Sequence, residues 1–241
     1  MIGLILAGGS GTRLQSVVKD KPKPLAEVKG RPFIRHLTDY LFNSGFVKLY
    51  ISCFYLGLQI EDEYKKEIIE KKIEIITEPK KLGTGGAIFY CLERILNDNV
   101  FVFNGDSFVN IPFNNFFQEY LLYLNQSINI TIVSAIVPNT GRYGVLDIDN
   151  NNTVIAFKEK EAIANQTKIE DKPINAGVYL INRKILNDFP ELQKYNAEFS
   201  FEHEVLIPLS KQKLLKAFVV KNDFIDIGIP EDYQKAQTFF D

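Results

Sequence analysis

Leu4-Ile5-Leu6-Ala7-Gly8-Gly9-Ser10-Gly11-Thr12-Arg13-Leu14, with Lys21-Pro22-Lys23-Pro24 a short distance on, is the stretch from which the chain is read. An apolar, β-prone run enters a glycine-rich loop that ends on an arginine. Glycines let the backbone turn with positive φ and let amides approach a ligand that a side chain would block. Successive amides in such a turn form an anion-binding nest. Arg13 and Lys23 add positive charge, and Pro22 and Pro24 restrict the lysine's approach. The guest this loop suits is a polyphosphate.

Working outward, Ile2–Leu6 reads as a strand buried on both faces. Phe33, Ile34, Leu37, Leu41 and Phe42 have helical spacing, and Gly45 suits a helix stop. A strand is predicted over Val47–Ser52, a charged helix over Leu58–Lys71, and a strand over Ile73–Thr77 that ends at Glu78-Pro79. A second glycine cluster, Leu82-Gly83-Thr84-Gly85-Gly86-Ala87, opens a helix expected to reach about Leu96. Val100–Phe103 is a fully apolar strand running into Asn104-Gly105-Asp106. Such alternation predicts a Rossmann-like, doubly wound, mostly parallel α/β sheet. Ligands of these sheets lie outside the carboxyl ends of the strands. The first glycine loop, Glu78, the second glycine cluster and Asp106 all fall at such ends, so one crevice can collect them.

Beyond residue 107 the pattern changes. A helix is predicted over Phe113–Leu124 and a strand over Ile128–Val137. Tyr143–Ile148 and Thr153–Phe157 flank Asp149-Asn150-Asn151-Asn152, a hairpin signal. Ile174–Ile181, Leu214–Val220 and Phe224–Ile227 read as strands and Phe201–Leu206 as helical. Pro230, followed by Glu231 and Asp232, suits the first turn of a closing helix. This half reads as a small second lobe on the same sheet, with antiparallel additions.

Composition bounds the function. With 28 basic and 30 acidic residues the formal charge is −2, which argues against a nucleic-acid or membrane-surface binder. The two cysteines, Cys53 and Cys91, lie in apolar stretches and make neither a zinc set nor a disulfide framework. No apolar run approaches the roughly 18 residues of a membrane span, and the N-terminal run lacks the basic start of a signal peptide. The expectation is a cytoplasmic protein.

The first loop departs from two common glycine motifs. A Walker A loop ends Gly-Lys-Ser/Thr, whereas Gly11 is followed by Thr12-Arg13. The dinucleotide pattern G-x-G-x-x-G begins at Gly9 and fails at Leu14. Asp106 follows a buried strand and Asp226 interrupts the apolar run Phe224–Ile227. Carboxylates so placed are costly unless paired or on a metal, and two of them can hold Mg²⁺ with waters and phosphate oxygens. Taken alone, Lys158-Glu159-Lys160 is a charged hairpin end and Asn175-Ala176-Gly177 an edge bulge. His36 and His203 read as structural.

Together these pieces resemble, in order along the whole chain, the sugar-1-phosphate nucleotidylyltransferases: Leu6–Leu14 with Pro22-Lys23-Pro24, Leu82–Ala87, Asn104-Gly105-Asp106, Tyr143-Gly144-Val145, Phe157–Lys160, Asn175–Tyr179 and Asp226–Asp232. The resemblance implies the nucleotide-diphospho-sugar transferase fold as one domain, 1–241, with a nucleotide lobe (1–106) and a sugar-phosphate lobe (107–241). The left-handed β-helix tail of some relatives is not expected. The implied reaction joins an NTP and a sugar 1-phosphate into an NDP-sugar and pyrophosphate. Arg13, Lys23, Asp106 and Lys160 are the implied catalytic residues. The nucleotide set is Leu6, Ala7, Gly8, Gly9, Gly11, Thr12, Arg13, Lys23, Glu78, Gly83, Thr84 and Gly85. The sugar-phosphate set is Asn104, Gly105, Gly144, Glu159, Lys160, Asn175 and Gly177, with Mg²⁺ on Asp106 and Asp226.

Within the family, Leu82–Ala87 resembles the bacterial heptose 1-phosphate guanylyltransferases, whose GDP-heptose supplies capsule, lipopolysaccharide or S-layer glycans. A carboxylate can accept both guanine donors, N1–H and N2–H₂, and no glutamine stands at 76–87. GTP and D-glycero-α-D-manno-heptose 1-phosphate are therefore the expected substrates. The alternatives are a uridylyl-, cytidylyl- or thymidylyltransferase on another sugar phosphate, or a non-catalytic NDP-sugar-binding regulatory subunit. A homodimer is compatible with such folds.

Overall fold

The computed structural model describes every residue except 10–13, 15–17, 19–20, 55–56, 139–142, 159–170, 222 and 241, and only the backbone of 194–196. The first half contains β1 (Ile2–Leu6), β2 (Glu27–Val28), β3 (Arg31–Pro32), α1 (Phe33–Asn43), β4 (Lys48–Cys53), α2 (Gly57–Glu63), α3 (Lys65–Ile69), β5 (Ile73–Thr77), α4 (Gly83–Leu92) and β6 (Asn99–Asn104). The second contains β7 (Ser107–Val109), α5 (Phe113–Leu124), β8 (Ile130–Val137), β9 (Val145–Ile148), β10 (Val154–Lys158), β11 (Lys172–Asn182), α6 (Ile185–Asp188), α7 (Ile207–Lys211), β12 (Lys216–Val220), β13 (Phe224–Asp226) and α8 (Pro230–Phe239).

Among the described residues one nine-stranded sheet runs through both halves in the order β10-β9-β11-β6-β1-β4-β5, with β8 also on β11 and β12 beside β8. The strands β6, β1, β4 and β5 are mutually parallel. β11 enters antiparallel to β6 and carries β8 and β9, also antiparallel to it. The expected doubly wound α/β sheet with antiparallel additions is what forms.

Period-two side-chain alternation divides the core between the two faces. Phe101 and Phe103 of β6 point to the side of α1 and α5, among Leu37, Leu41, Phe46, Phe113 and Phe116. Val100 and Val102 point to the other side, among Ile88, Phe89 and Leu92 of α4. Phe101 meets Phe46, Phe113 and Phe116 edge-on, with ring centroids 5.2, 5.5 and 5.7 Å away. Cys53 and Cys91 are free and buried, and burial pushes their thiols up to about 11 and about 12. No helix of the described residues is long and apolar enough to cross a membrane.

Three local expectations need correction, and the helical reading of Phe201–Leu206 is refined. The helix predicted over 58–71 is two helices, because the chain leaves helical geometry at Tyr64 (φ −111°). That tyrosine is buried beneath the Arg35 guanidinium, 4.1 Å from its ring, and its hydroxyl lies 3.0 Å from Thr38 Oγ1. The helix expected to reach Leu96 stops at Leu92, where the amides of Arg94 and Ile95 both turn onto the Cys91 carbonyl, each at 2.9 Å. Residues Glu202–Leu206 form a π-helical turn rather than an ordinary helix. Asn175-Ala176-Gly177 is a bulge, but not at an edge: β11 lies between β6 and β8, and its register on β8 shifts between Asn175 and Tyr179.

Phe101→Ala removes the hub of the aromatic cluster. It should lower unfolding free energy by about 3–5 kcal/mol in urea denaturation, the range for a fully buried aromatic truncated to alanine.

Candidate active site

Parallel pairing lines up the carboxyl ends of four strands. Leu6 is in register with Ser52 and with Asn104, and Ser52 with Ile76. The ladder continues into the loops: Ala7 N–H donates to Ser52 O, Glu78 N–H to Cys53 O, and Gly105 N–H to Leu6 O, at 2.8, 2.8 and 2.9 Å. Residues far apart in sequence thus emerge in one row.

Two cavities open there. The first, about 220 Å³, is lined by Leu6, Ala7, Gly8, Gly9, Lys23, Glu78, Lys81, Gly83, Thr84, Asn104 and Asp106, among others. The second, about 290 Å³, is lined by Asn104, Ser107, Tyr143, Gly144, Phe157, Asn175, Gly177, Ser200, Glu202, His203, Phe224 and Asp226. Asn104 belongs to both. Of the residues expected to bind nucleotide, Gly85 lines neither cavity, since its amide donates to Phe199 O at 3.0 Å. Gly105, expected on the sugar side, is packed against the end of β1, where a Cβ would stand 2.7 Å from Leu6 O. Gly11, Thr12, Arg13, Glu159 and Lys160 lie outside the described residues.

Asp106 lies at the boundary with Lys23, whose ammonium donates to Asp106 Oδ2. Burial works to raise the Asp106 carboxyl, but the charge and hydrogen bond of Lys23, aided by Ser107, outweigh it and hold it below the ordinary aspartate value. Asp226 comes from β13, which pairs with β7 directly after Asp106. Ser107 Oγ sits between the two carboxylates, 3.3 Å from Asp106 Oδ1 and 3.2 Å from Asp226 Oδ2. Asp226 Oδ1 accepts the Gly228 amide at 2.6 Å. Two carboxylates and a hydroxyl so grouped are a hard, oxygen-only donor set. Among the described residues no group of three or more His, Cys, Asp or Glu residues could hold a metal.

Glu78 is buried and accepts from Ser52 Oγ at 2.8 Å. Burial raises its carboxyl above the ordinary glutamate value, against the lowering by Ser52 and by the Leu82 amide. A carboxylate held at that cost inside a cavity is a functional candidate. In the second cavity Asn175 Oδ1 accepts the Gly177 amide at 2.9 Å, and Asn175 Nδ2 donates to the Tyr179 hydroxyl at 2.9 Å. Gly177 has φ +71°, and a Cβ there would stand 2.4 Å from Asn104 Nδ2. The Asn-x-Gly turn therefore shapes the wall opposite Asn104.

Sequence reading missed Ser107, although it directly follows Asp106, because a lone serine carries no signal until β13 arrives. It missed Ser52 for the same reason. Glu202 carries no sequence signal of its own, and Tyr143, Phe157 and Phe224 are legible only as parts of strands and motifs.

A Campylobacter jejuni D-glycero-alpha-D-manno-heptose 1-phosphate guanylyltransferase is 36% identical over 233 residues, covering 97% of each chain. The Aneurinibacillus thermoaerophilus protein of the same name is 33% identical over 237 residues, covering 98% of this chain and 97% of that one. A crystal structure of HddC from Yersinia pseudotuberculosis complexed with GMP-PN superposes with a TM-score of 0.81 at 35% identity, covering 100% of this chain and 99% of that one. The family described as nucleotidyl transferase matches residues 2–241. With this match spanning the sheet and both cavities, the chain belongs to the nucleotidyl transferase family.

Proposed function

We propose that the protein transfers a guanylyl group from GTP to D-glycero-α-D-manno-heptose 1-phosphate, releasing pyrophosphate, in the cytoplasm and for surface glycan synthesis. The observation that carries this reading is the junction of the two cavities at Asn104, with Asp106 on one side, Asp226 on the other and Ser107 between them. Two phosphorylated substrates entering from opposite sides would meet there. The relatives named as heptose 1-phosphate guanylyltransferases support the choice of both substrates, and the GMP-PN complex of HddC supports the base.

On this reading the chain is a single catalytic unit of two lobes, 1–106 and 107–241. An oxygen of the sugar phosphate attacks the α-phosphorus of GTP. A new P–O bond forms as the bond to pyrophosphate breaks. The protein contributes position and charge rather than a covalent intermediate. The backbone of Gly8–Gly11 and the turn at Gly83 and Thr84 would cradle the nucleotide beside Leu6 and Ala7, and Arg13 would neutralise the departing pyrophosphate. Lys23 leaves Asp106 for the reacting phosphates, because a triphosphate competes with one carboxylate for the ammonium. Lys160 holds the sugar phosphate. Asn104, Gly144, Glu159, Asn175 and Gly177 face sugar hydroxyls, and Gly105 sets the turn that presents Asn104.

Asp106 and Asp226 fit a small hard cation: Mg²⁺ favours oxygen donors and commonly takes only one or two carboxylates, with phosphates and water filling the shell. Bound there, it would neutralise charge on the reacting phosphates. Glu78 accepts N1–H and N2–H₂ of guanine, which requires the ionised carboxylate.

Lys23→Ala should lower kcat/KM by about 10²–10³-fold, the usual cost of losing one donor to transition-state charge, with the far-UV circular dichroism spectrum unchanged. Wild-type turnover in that variant would refute the role. A four-nucleotide panel read by pyrophosphate release should favour GTP; preference for UTP, CTP or dTTP overturns the base assignment.

Glu78 predicts a pH effect. Its carboxyl titrates above the ordinary value, so kcat/KM for GTP should fall as pH drops through that raised value, when protonation removes an acceptor. The limb should be missing in Glu78→Gln, which should also discriminate less between GTP and the other nucleotides. An identical acidic limb in both proteins removes Glu78 from base recognition.

A further inference from the structure

Residues 197–202 lie across the start of α4 and tie the two cavities together. Phe199 N–H donates to Leu82 O, and Gly85 N–H returns to Phe199 O, each at 3.0 Å. The approach is close enough that a Cβ on Gly83 would stand 2.5 Å from Phe199 O, and one on Gly85 2.2 Å from the Phe199 ring. Thr84, in the wall of the first cavity, extends the join. Its Oγ1 accepts Phe201 N–H at 3.0 Å and donates to Glu202 Oε2 at 3.3 Å. Ser200 Oγ donates to the same Glu202 oxygen at 3.0 Å.

Glu202 lines the second cavity. Both of these hydrogen bonds fall on Oε2, and among the described residues none falls on Oε1, which keeps its lone pairs available. Glu202 also begins the π-helical turn Glu202–Leu206, and wide turns of this kind recur at functional sites. Three features thus converge on one side chain: a cavity wall, a two-donor clamp and an irregular helix start.

Resting on the sugar-phosphate reading of this cavity, we propose that Glu202 is a specificity-determining residue that accepts hydrogen bonds from sugar hydroxyls, with Thr84 as its positioning residue. A carboxylate attracts hydroxyl donors and repels a phosphate dianion. Glu202 therefore fixes the direction of the substrate. The hydroxyl-bearing end lies at the Ser200–Glu202 wall, and the phosphate lies toward the Lys23 ammonium at the junction of the two cavities. The reach of Thr84 across the boundary means that a residue of the nucleotide side sets the geometry of sugar selection.

The test combines steady-state kinetics with calorimetric binding of D-glycero-α-D-manno-heptose 1-phosphate to the full chain. Loss of hydrogen bonds to a charged group should weaken sugar-phosphate binding, and raise its KM, by about 10–100-fold in Glu202→Ala, with KM for GTP within about twofold. Thr84→Val should raise the sugar-phosphate KM several-fold, and Thr84→Ser, which keeps the hydroxyl, should restore it. If Glu202→Ala fails to fold by circular dichroism, the isosteric Glu202→Gln decides, with a smaller rise in the same parameter. Wild-type affinity for the sugar phosphate in the Glu202 variants overturns the proposal alone, as does an equal rise in both KM values. A wild-type protein that binds no sugar phosphate overturns both the proposal and the cavity reading beneath it.

Discussion

The parallel pairing of β1 with β4 and β6 is the constraint from which the site follows. Parallel strands share a direction, so their carboxyl ends share an edge. The Leu6–Ser52, Leu6–Asn104 and Ser52–Ile76 registers set the depth at which Ala7, Asp106 and Glu78 emerge. Such registers are rigid here because both faces of the central strands are buried, and a slip by one residue would exchange Phe101 and Phe103 with Val100 and Val102 across the sheet. The aromatic packing behind the sheet thereby holds the polar groups at its edge.

The second half joins this edge by reversing direction. β11 pairs antiparallel to β6, so residues Asn175–Gly177 arrive beside the end of β6. The bulge there turns Asn175 and Gly177 toward Asn104, and the left-handed Gly177 leaves room for the Asn104 amide. The β7–β13 pair does the same for the carboxylates, bringing Asp226 beside Ser107 and Asp106 across more than a hundred residues of chain. Each junction is anchored by apolar side chains of its own: Ala176 is buried at the bulge, and Ile225 and Ile227 are buried in a cluster with Ala26, Val28 and Phe33.

The polar groups at the edge are kept at an energetic cost. Glu78 is held buried with a hydroxyl and an amide instead of a cation, and its proton affinity rises accordingly. Asp106 is held ionised by Lys23, so removing either partner leaves a poorly solvated charge. Such arrangements add little to stability and are retained where a ligand will complete them.

Much of this was legible in the sequence because local chemistry decides it. Alternating apolar strands and amphipathic helices determined the α/β sheet, and the glycine clusters marked the strand ends that line the first cavity. The order of short motifs from Leu6 to Asp232 pointed to the family. What only the tertiary structure decided are the relations between distant segments. Ser107 between the carboxylates, Ser52 on Glu78 and Thr84 on Glu202 are hydrogen bonds spanning 26 to 119 residues. No periodicity records such contacts, since each needs strand register and helix placement before two side chains can meet. Likewise, Gly85 and Gly105 read as ligand contacts in sequence, yet they serve close backbone packing. A glycine permits both uses, and only the neighbour that arrives beside it selects one.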